Sequence, residues 1–121
     1  MVKKIDEDKI KLVIIIDREN AGLVERPLEI DKNTVWIEVV NKDNKNLAKG
    51  MYLVANSNRK DSSDILITFL VYEMLKSEVE SVTLVTGDHF GVTLQEVIGG
   101  IRLKCVEPKD FVEKNNFSMT E

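Results

Sequence analysis

Residues 11–17, which read Lys-Leu-Val-Ile-Ile-Ile-Asp, decide the fold of this chain. The apolar run from Leu12 to Ile16 is continuous instead of alternating with polar residues. Such a run predicts a strand that is covered on both faces, as strands of a parallel sheet are when helices pack on either side. Asp17 follows this strand directly and is therefore predicted to lie at its carboxyl end.

Working outward, short apolar segments rich in β-branched residues predict four further strands. They span residues 35–40, 51–55, 81–86 and 101–106. Helices are predicted over residues 63–76 and 90–98, the second ended by Gly99 and Gly100. A last turn is predicted at 108–112, and residues 21–34 carry only a modest helical pattern. Short strands mixed with helices indicate an α/β protein, a three-layer α/β/α fold around a mostly parallel five-stranded sheet.

The length of 121 residues fits a single domain. We expect a charged N-terminal segment at 1–10, the domain at 11–112, and a frayed C-terminal tail at 113–121. No apolar run approaches the length of a membrane span, and the charged start lacks the pattern of a secretory signal. The sequence therefore predicts a cytoplasmic protein without a membrane partner. The net charge of −4 argues against a broad basic surface for nucleic acid.

Several kinds of site are excluded by composition. Cys105 is the only cysteine, so the chain has no internal disulfide and no cysteine metal cluster. Its apolar surroundings predict a buried, inert thiol. The glycine-rich phosphate loops GxGxxG and GxxxxGK[ST] are missing. His89 is the only histidine and has no Ser–His–Asp partner set.

Three aspartates occupy positions where a parallel sheet gathers ligands. Asp17 follows the first strand, Asp64 lies in the first turn of the long helix, and Asp88 follows the fourth strand. If the strand order is 3-2-1-4-5, the order reverses between strands one and four, and the three carboxylates meet there. Their mutual repulsion would raise at least one pKa, and a divalent cation would relieve it. Ligands that are all oxygen atoms favour Mg²⁺ or Mn²⁺.

Each acid also has an ordinary structural interpretation. An aspartate after a strand is common in turns, and Gly87-Asp88 is a frequent turn dipeptide. Asp61 is well placed to cap the long helix, and Asp64 could serve its dipole. These alternatives stay open at the level of the sequence.

Three segments, in this order, resemble the motifs of PIN-like nucleases, and of the NYN-type branch in particular. Residues 15–20 read Ile-Ile-Asp-Arg-Glu-Asn, residues 60–64 read Lys-Asp-Ser-Ser-Asp, and residues 85–90 read Val-Thr-Gly-Asp-His-Phe. Their order and spacing match over roughly residues 11–106. The resemblance implies a parallel sheet of order 3-2-1-4-5 and a metal-dependent ribonuclease.

The same resemblance implies roles for individual residues. Asp17, Asp64 and Asp88 would be the catalytic metal ligands, holding Mg²⁺ or Mn²⁺, with Glu19 as an auxiliary acid. Asn20 would orient Asp17 or contact the substrate. The other candidates for contacts to the substrate are Arg18, Arg59, Lys60 and His89.

The leading hypothesis is an endoribonuclease that hydrolyses phosphodiester bonds of single-stranded RNA and leaves 5′-phosphate and 3′-hydroxyl ends. His89 stands where many PIN-like members carry a further acid, which motivates an alternative. In that alternative the chain is a catalytically weak or inactive PIN-like module that binds RNA or another protein. A third hypothesis is a phosphatase-like hydrolase with Asp17 as the nucleophile. The sequence leaves open a homodimer or a partner protein.

Overall fold

The computed structural model describes residues 9–21 and 24–115, and of residues 114 and 115 the backbone alone. The described residues form five strands, β1 (Leu12–Asp17), β2 (Thr34–Asn41), β3 (Tyr52–Ala55), β4 (Ser81–Val85) and β5 (Leu103–Val106). They also form three α-helices, α1 (Ser62–Lys76), α2 (His89–Ile98) and α3 (Pro108–Asn115). A 3₁₀ turn at Lys45–Leu47 occupies the polar loop after β2.

The strands form one sheet of order β3-β2-β1-β4-β5, in which every pair is parallel. The predicted fold class and strand order are therefore confirmed. β1 is central, with Asp17 opposite Val39 of β2 and Ile16 opposite Val85 of β4. Because all strands run the same way, their carboxyl ends share one edge of the sheet, and the order reverses beside β1.

Both faces of β1 are buried, as the continuous apolar run predicts. Val13 and Ile15 belong to a core that includes residues of α1 and α2. Ile14 and Ile16 belong to the core on the other face, where Phe111 of α3 packs. The sheet is thus the middle layer of three.

Several elements begin or end one or two residues from their predicted bounds, and the ends of β1 and α3 differ as follows. Asp17 is the last residue of β1 and does not lie beyond it. α3 continues to Asn115, three residues into the predicted tail. Its Phe111 is 2% exposed, and the ring of Phe111 lies 6.2 Å from that of Trp36. Residues 24–33 form no helix. Residues 1–8 and 116–121, which include most of the two predicted terminal segments, lie outside the described residues.

α2 ends where the sequence predicts, at Ile98, and Gly99 follows with a φ of 69°. Among the helices formed by the described residues, none is long and apolar enough to cross a lipid bilayer.

Candidate functional site

The loops after β1 and β4 are joined at the carboxyl edge of the sheet. The backbone N–H of Gly87 donates a hydrogen bond of 2.6 Å to the carbonyl oxygen of Asn20. A Cβ atom on residue 87 would lie 2.9 Å from that same oxygen, which is too close. Glycine at this position therefore allows the segment that carries Asp17 to approach the segment that carries Asp88.

Asp17 is fully buried at this junction. Its Oδ2 accepts hydrogen bonds from Thr86 Oγ1 at 2.8 Å and from Asn20 Nδ2 at 3.0 Å. Its Oδ1 is also buried and has no hydrogen-bond partner among the described residues. Burial raises the pKa of Asp17, the two hydrogen bonds oppose this rise, and the charges of Glu19 and Asp88 add to it. The carboxylate is thus held in one orientation with one oxygen unsatisfied.

Asp88 is tied to the same network through the backbone. Its N–H donates to Thr86 Oγ1 at 3.1 Å, so the Thr86 hydroxyl links Asp88 to Asp17. The Asp88 side chain caps α2 by accepting a hydrogen bond of 3.4 Å from the N–H of Phe90. Asp88 therefore fills the ordinary role of a cap, while its charge still acts on Asp17.

Asp64 joins the group from the first turn of α1. Its pKa is raised to about 6, first by burial and then by the charges of Asp17, Asp88, Asp61 and Glu19. The fold thus brings these acids near enough to feel one another's charge, as the predicted strand order requires. Asp61 precedes α1 with a φ of 70° and makes no side-chain cap hydrogen bond.

The acids do not yet form a closed set of metal ligands. Within residues 9–21 and 24–115, no three His, Cys, Asp or Glu side chains are arranged to hold a metal ion. Repulsion between the charged carboxylates favours such separation. A cation bound by all three aspartates would require their carboxylates to come closer together.

Arg18, which is predicted to contact the substrate, is buried instead. Its side chain is 1% exposed, and its Nε donates a hydrogen bond of 2.6 Å to Oε1 of Glu38, which is fully buried. Its Nη1 and Nη2 atoms have no hydrogen-bond partner among the described residues. Arg18 therefore serves the interior, because a buried guanidinium needs an anionic partner there.

Glu38 is a residue that the sequence interpretation missed. Besides Arg18, it accepts hydrogen bonds from the N–H of Lys49 at 2.8 Å and from Trp36 Nε1 at 3.0 Å. The missed signal was a single charged residue inside the apolar stretch Val35–Val40, since a buried charge must be paired.

Most of the other predicted site residues are exposed. Arg59 and Lys60 are exposed in the loop before α1, Glu19 is exposed, and His89 is the exposed first residue of α2. Asn20, by contrast, is partly buried and binds Asp17. Among the residues predicted to contact the substrate, Arg18 and Asn20 therefore bind other side chains of the protein, and Arg59, Lys60 and His89 are exposed.

Cys105 is half-buried in β5. Burial raises the pKa of its thiol, and the charge of Glu107 adds to the rise. A thiol that resists ionisation is a poor nucleophile, which agrees with the expected inert role.

Asp64→Asn is expected to stabilise the metal-free protein at pH 7.5 by about 1 kcal/mol, a figure reduced for the partial exposure of this side chain. In the folded protein Asp64 keeps its proton up to a pH of about 6, whereas the ordinary pKa is 3.8. Stability therefore falls as the pH rises between these values. The gain from the substitution should vanish near pH 4, which urea unfolding at both pH values measures.

Asp110→Asn is the matched control, because Asp110 also lies in the first turn of a helix. We expect it to give no gain at pH 7.5, since an acid at a helix N-terminus is favourable. Equal gains from both substitutions would contradict crowding of charge around Asp64.

No protein-family model, curated protein or solved structure matches this chain. The similarity to PIN-like nucleases therefore rests on the three sequence motifs, and it stays a prediction.

Proposed function

We propose that this protein is a metal-dependent endoribonuclease that hydrolyses single-stranded RNA at the carboxyl edge of its sheet. The observation that carries the proposal is the state of Asp17. It is buried, fixed by Thr86 and Asn20, and has one oxygen without a partner in the part of the chain that the structure describes, while the charges of other acids act on it. A buried carboxylate near other negative charges is destabilising, and such perturbed groups occur most often at functional sites.

The donor atoms fit a hard divalent cation. The acids around Asp17 offer only oxygen atoms, which favour Mg²⁺ or Mn²⁺ over a metal that prefers thiolate ligands. The unpartnered Oδ1 of Asp17 and the raised pKa of Asp64 are both penalties that a nearby positive charge would relieve. Asp17, Asp64 and Asp88 are the proposed ligands, with Glu19 as an auxiliary acid.

When bound, such a cation lowers the pKa of a water molecule and neutralises charge on the phosphate. The chain's own residues position the reaction. Thr86 and Asn20 hold the Asp17 carboxylate in one orientation, so this carboxylate does not have to be ordered when the metal binds. Arg59 and Lys60, exposed beside the acids of α1, are placed to attract the RNA backbone.

The test is cleavage of an end-labelled single-stranded RNA in the presence of Mn²⁺. We expect internal cuts that leave 5′-phosphate and 3′-hydroxyl ends, and no cuts in excess EDTA. Asp17→Asn, which keeps an oxygen for Thr86 but removes the charge, should slow cleavage at least about 30-fold. Cleavage that persists in EDTA, or in Asp17→Asn, would refute the assignment.

Asp31→Asn is the control for this substitution. Asp31 is an exposed acid just before β2, at the opposite edge of the parallel sheet. The Asp31→Asn protein should cleave RNA at the rate of the unsubstituted protein.

A non-catalytic RNA-binding module on the same fold is the second candidate. Two observations favour it. His89 occupies a position where the resemblance leads us to expect an acid, and Asp88 is already engaged in capping α2. Calorimetric titration with Mg²⁺ and Mn²⁺ separates the candidates, because RNA binding without metal binding in the millimolar range would favour the module.

The third hypothesis, with Asp17 as a nucleophile, gains nothing from the structure. Asp17 is fully buried. A carboxylate that attacks a phosphate must reach it directly.

A further inference from the structure

A groove lies between the end of β3 and the first two turns of α1. It has a volume of about 490 Å³, within the range of ligand pockets in proteins. We call it the β3–α1 groove. The residues that matter for its chemistry are Ser57, Arg59, Lys60, Ile65, Leu66 and Phe69.

The charge of this groove is opposite to that of the chain. The chain carries 21 acidic and 17 basic residues, yet among the described residues the β3–α1 groove is lined by Arg59 and Lys60 and by no acid. Asp64 lines a different groove, on the α2 side of the same helix, and Ile65 borders both. The first turn of α1 thus lies between the cationic groove and the groove that Asp64 lines. A ligand that enters the cationic side should carry negative charge.

The groove also offers an aromatic surface. Phe69 is 66% exposed and Ile65 is 59% exposed, four residues earlier on the same helix face. Among the described residues, Phe69 has no stacking partner of its own, whereas the rings of Trp36 and Phe111 contact each other. An exposed phenylalanine beside an arginine and a lysine provides a surface for a flat ligand that is also anionic.

Hydrogen bonds hold the loop that carries the cations. Ser57 accepts a hydrogen bond from the N–H of Arg59 on its hydroxyl at 3.0 Å, and Ser62 Oγ donates to the carbonyl of Ser57 at 3.1 Å. Asp61 completes the turn in a left-handed conformation. A preformed loop loses little conformational freedom on binding, which favours affinity.

We propose that the β3–α1 groove binds one nucleotide of single-stranded RNA, with the base stacked on Phe69 and the phosphate held by Arg59 and Lys60. Asp64 lies five residues before Phe69, a rise of about 7.5 Å along the axis of α1, and lines a different groove. The nucleotide in the β3–α1 groove would thus bind on a different face of α1 from Asp64. This inference deepens the proposed function and rests on it for the identity of the ligand.

The test measures binding of a fluorescein-labelled single-stranded RNA by anisotropy in EDTA, where neither metal binding nor cleavage contributes. Phe69→Ala should weaken binding about tenfold, within the range for loss of one stacked base. Phe69→Trp should retain the affinity. Phe69→Ala should not weaken binding of an abasic oligonucleotide of the same length, because that ligand has no base to stack.

Tyr72→Ala is the matched control. Tyr72 is 58% exposed on the same helix but does not line the groove. Its substitution should leave RNA affinity unchanged. If Phe69→Ala and Tyr72→Ala bind RNA equally well, the groove takes another partner, such as an apolar peptide, and the proposal is overturned.

The salt dependence of RNA affinity tests the proposed phosphate contacts of Arg59 and Lys60. Arg59→Ala with Lys60→Ala should reduce the slope of log affinity against log salt by about 1.4, the value for two contacts to a single strand. Lys11→Ala with Lys76→Ala, which removes two exposed cations outside the groove, should leave the slope unchanged. An equal reduction in both double variants would mean that the groove has no special affinity for phosphate.

These measurements separate failure of the groove from failure of the nuclease. Binding that depends on Phe69 in EDTA, together with no cleavage in Mn²⁺, would support the groove and reject the enzyme. Metal-dependent cleavage with unchanged binding by Phe69→Ala would do the reverse.

Discussion

Glu38→Ala is expected to lower the free energy of unfolding by about 3–5 kcal/mol, the cost of breaking a buried ion pair. Glu38 is fully buried in β2 and accepts hydrogen bonds from Arg18, Lys49 and Trp36. Alanine would remove all three acceptor contacts and leave the Arg18 guanidinium in the interior without its anionic partner. Urea unfolding followed by Trp36 fluorescence measures the loss.

A double substitution tests whether the uncompensated charge causes this loss. Arg18→Met with Glu38→Leu removes both charges, so we expect it to recover at least about 2 kcal/mol relative to Glu38→Ala. Recovery should be incomplete, because Lys49 and Trp36 still lose their acceptor. A double variant as unstable as Glu38→Ala would show that packing, and not charge, sets the cost.

Glu73→Ala is the control at the surface. Glu73 pairs with Lys76 at 3.5 Å, and both side chains are more than half exposed. Such pairs contribute little, so the change should stay within about 0.5 kcal/mol.

The Arg18–Glu38 pair also stands beside the candidate site. Arg18 follows Asp17 directly, and its N–H donates to the carbonyl of Val39, which continues the pairing of β1 with β2. The pair therefore fixes the backbone just after the Asp17 carboxylate. Buried ion pairs often add little net stability over an apolar pair, so we infer that this one serves to hold the end of β1 in one conformation.

The layered fold could be predicted because its main signals are local. The apolar run at 12–16 requires cover on both faces, and the two cores on either side of β1 supply it. The end of α2 was predictable for a similar reason, since Gly99 adopts a backbone conformation that disfavours other residues. α3 was predicted too short because its stability depends on Phe111 meeting Trp36, a contact between distant segments.

The candidate site was predictable only in part. The positions of Asp17 and Asp88 at strand ends are local facts, but their meeting depends on β1 and β4 being neighbours. The observed strand order makes β1 and β4 neighbours. The charges of Asp17 and Asp88 both act on Asp64. The role of Thr86 could not be predicted from a lone hydroxyl, because its hydrogen bond to Asp17 spans 69 positions of the chain.

Gly91→Val is expected to destabilise the protein by about 3 kcal/mol through overpacking. Gly91 is buried on the inner face of α2. A Cβ atom there would lie 2.5 Å from Cys105 Sγ and 2.5 Å from Thr86 Cγ2, so both side chains would have to move. Gly91→Ala should cost less, because it adds one carbon and improves helix propensity by about 1 kcal/mol.

The position of Thr86 gives this substitution a second effect. The methyl group that the new side chain displaces belongs to the residue whose hydroxyl holds Asp17. If Asp17 is a metal ligand, as we propose, Gly91→Ala should weaken Mn²⁺ binding about tenfold, as expected when a partner of a metal ligand is disturbed. Cys105→Ala in the same chain removes one of the two clashing atoms and should restore part of the stability.

Val92→Ala is the comparison for both effects, because Val92 is the next residue of α2 and is 53% exposed. It should change stability by less than about 0.5 kcal/mol and leave Mn²⁺ affinity unaltered. A Gly91→Ala protein that loses stability but binds Mn²⁺ like Val92→Ala would mean that Thr86 yields without moving Asp17. Loss of both properties together would tie the packing of α2 on β4 and β5 to the orientation of the Asp17 carboxylate.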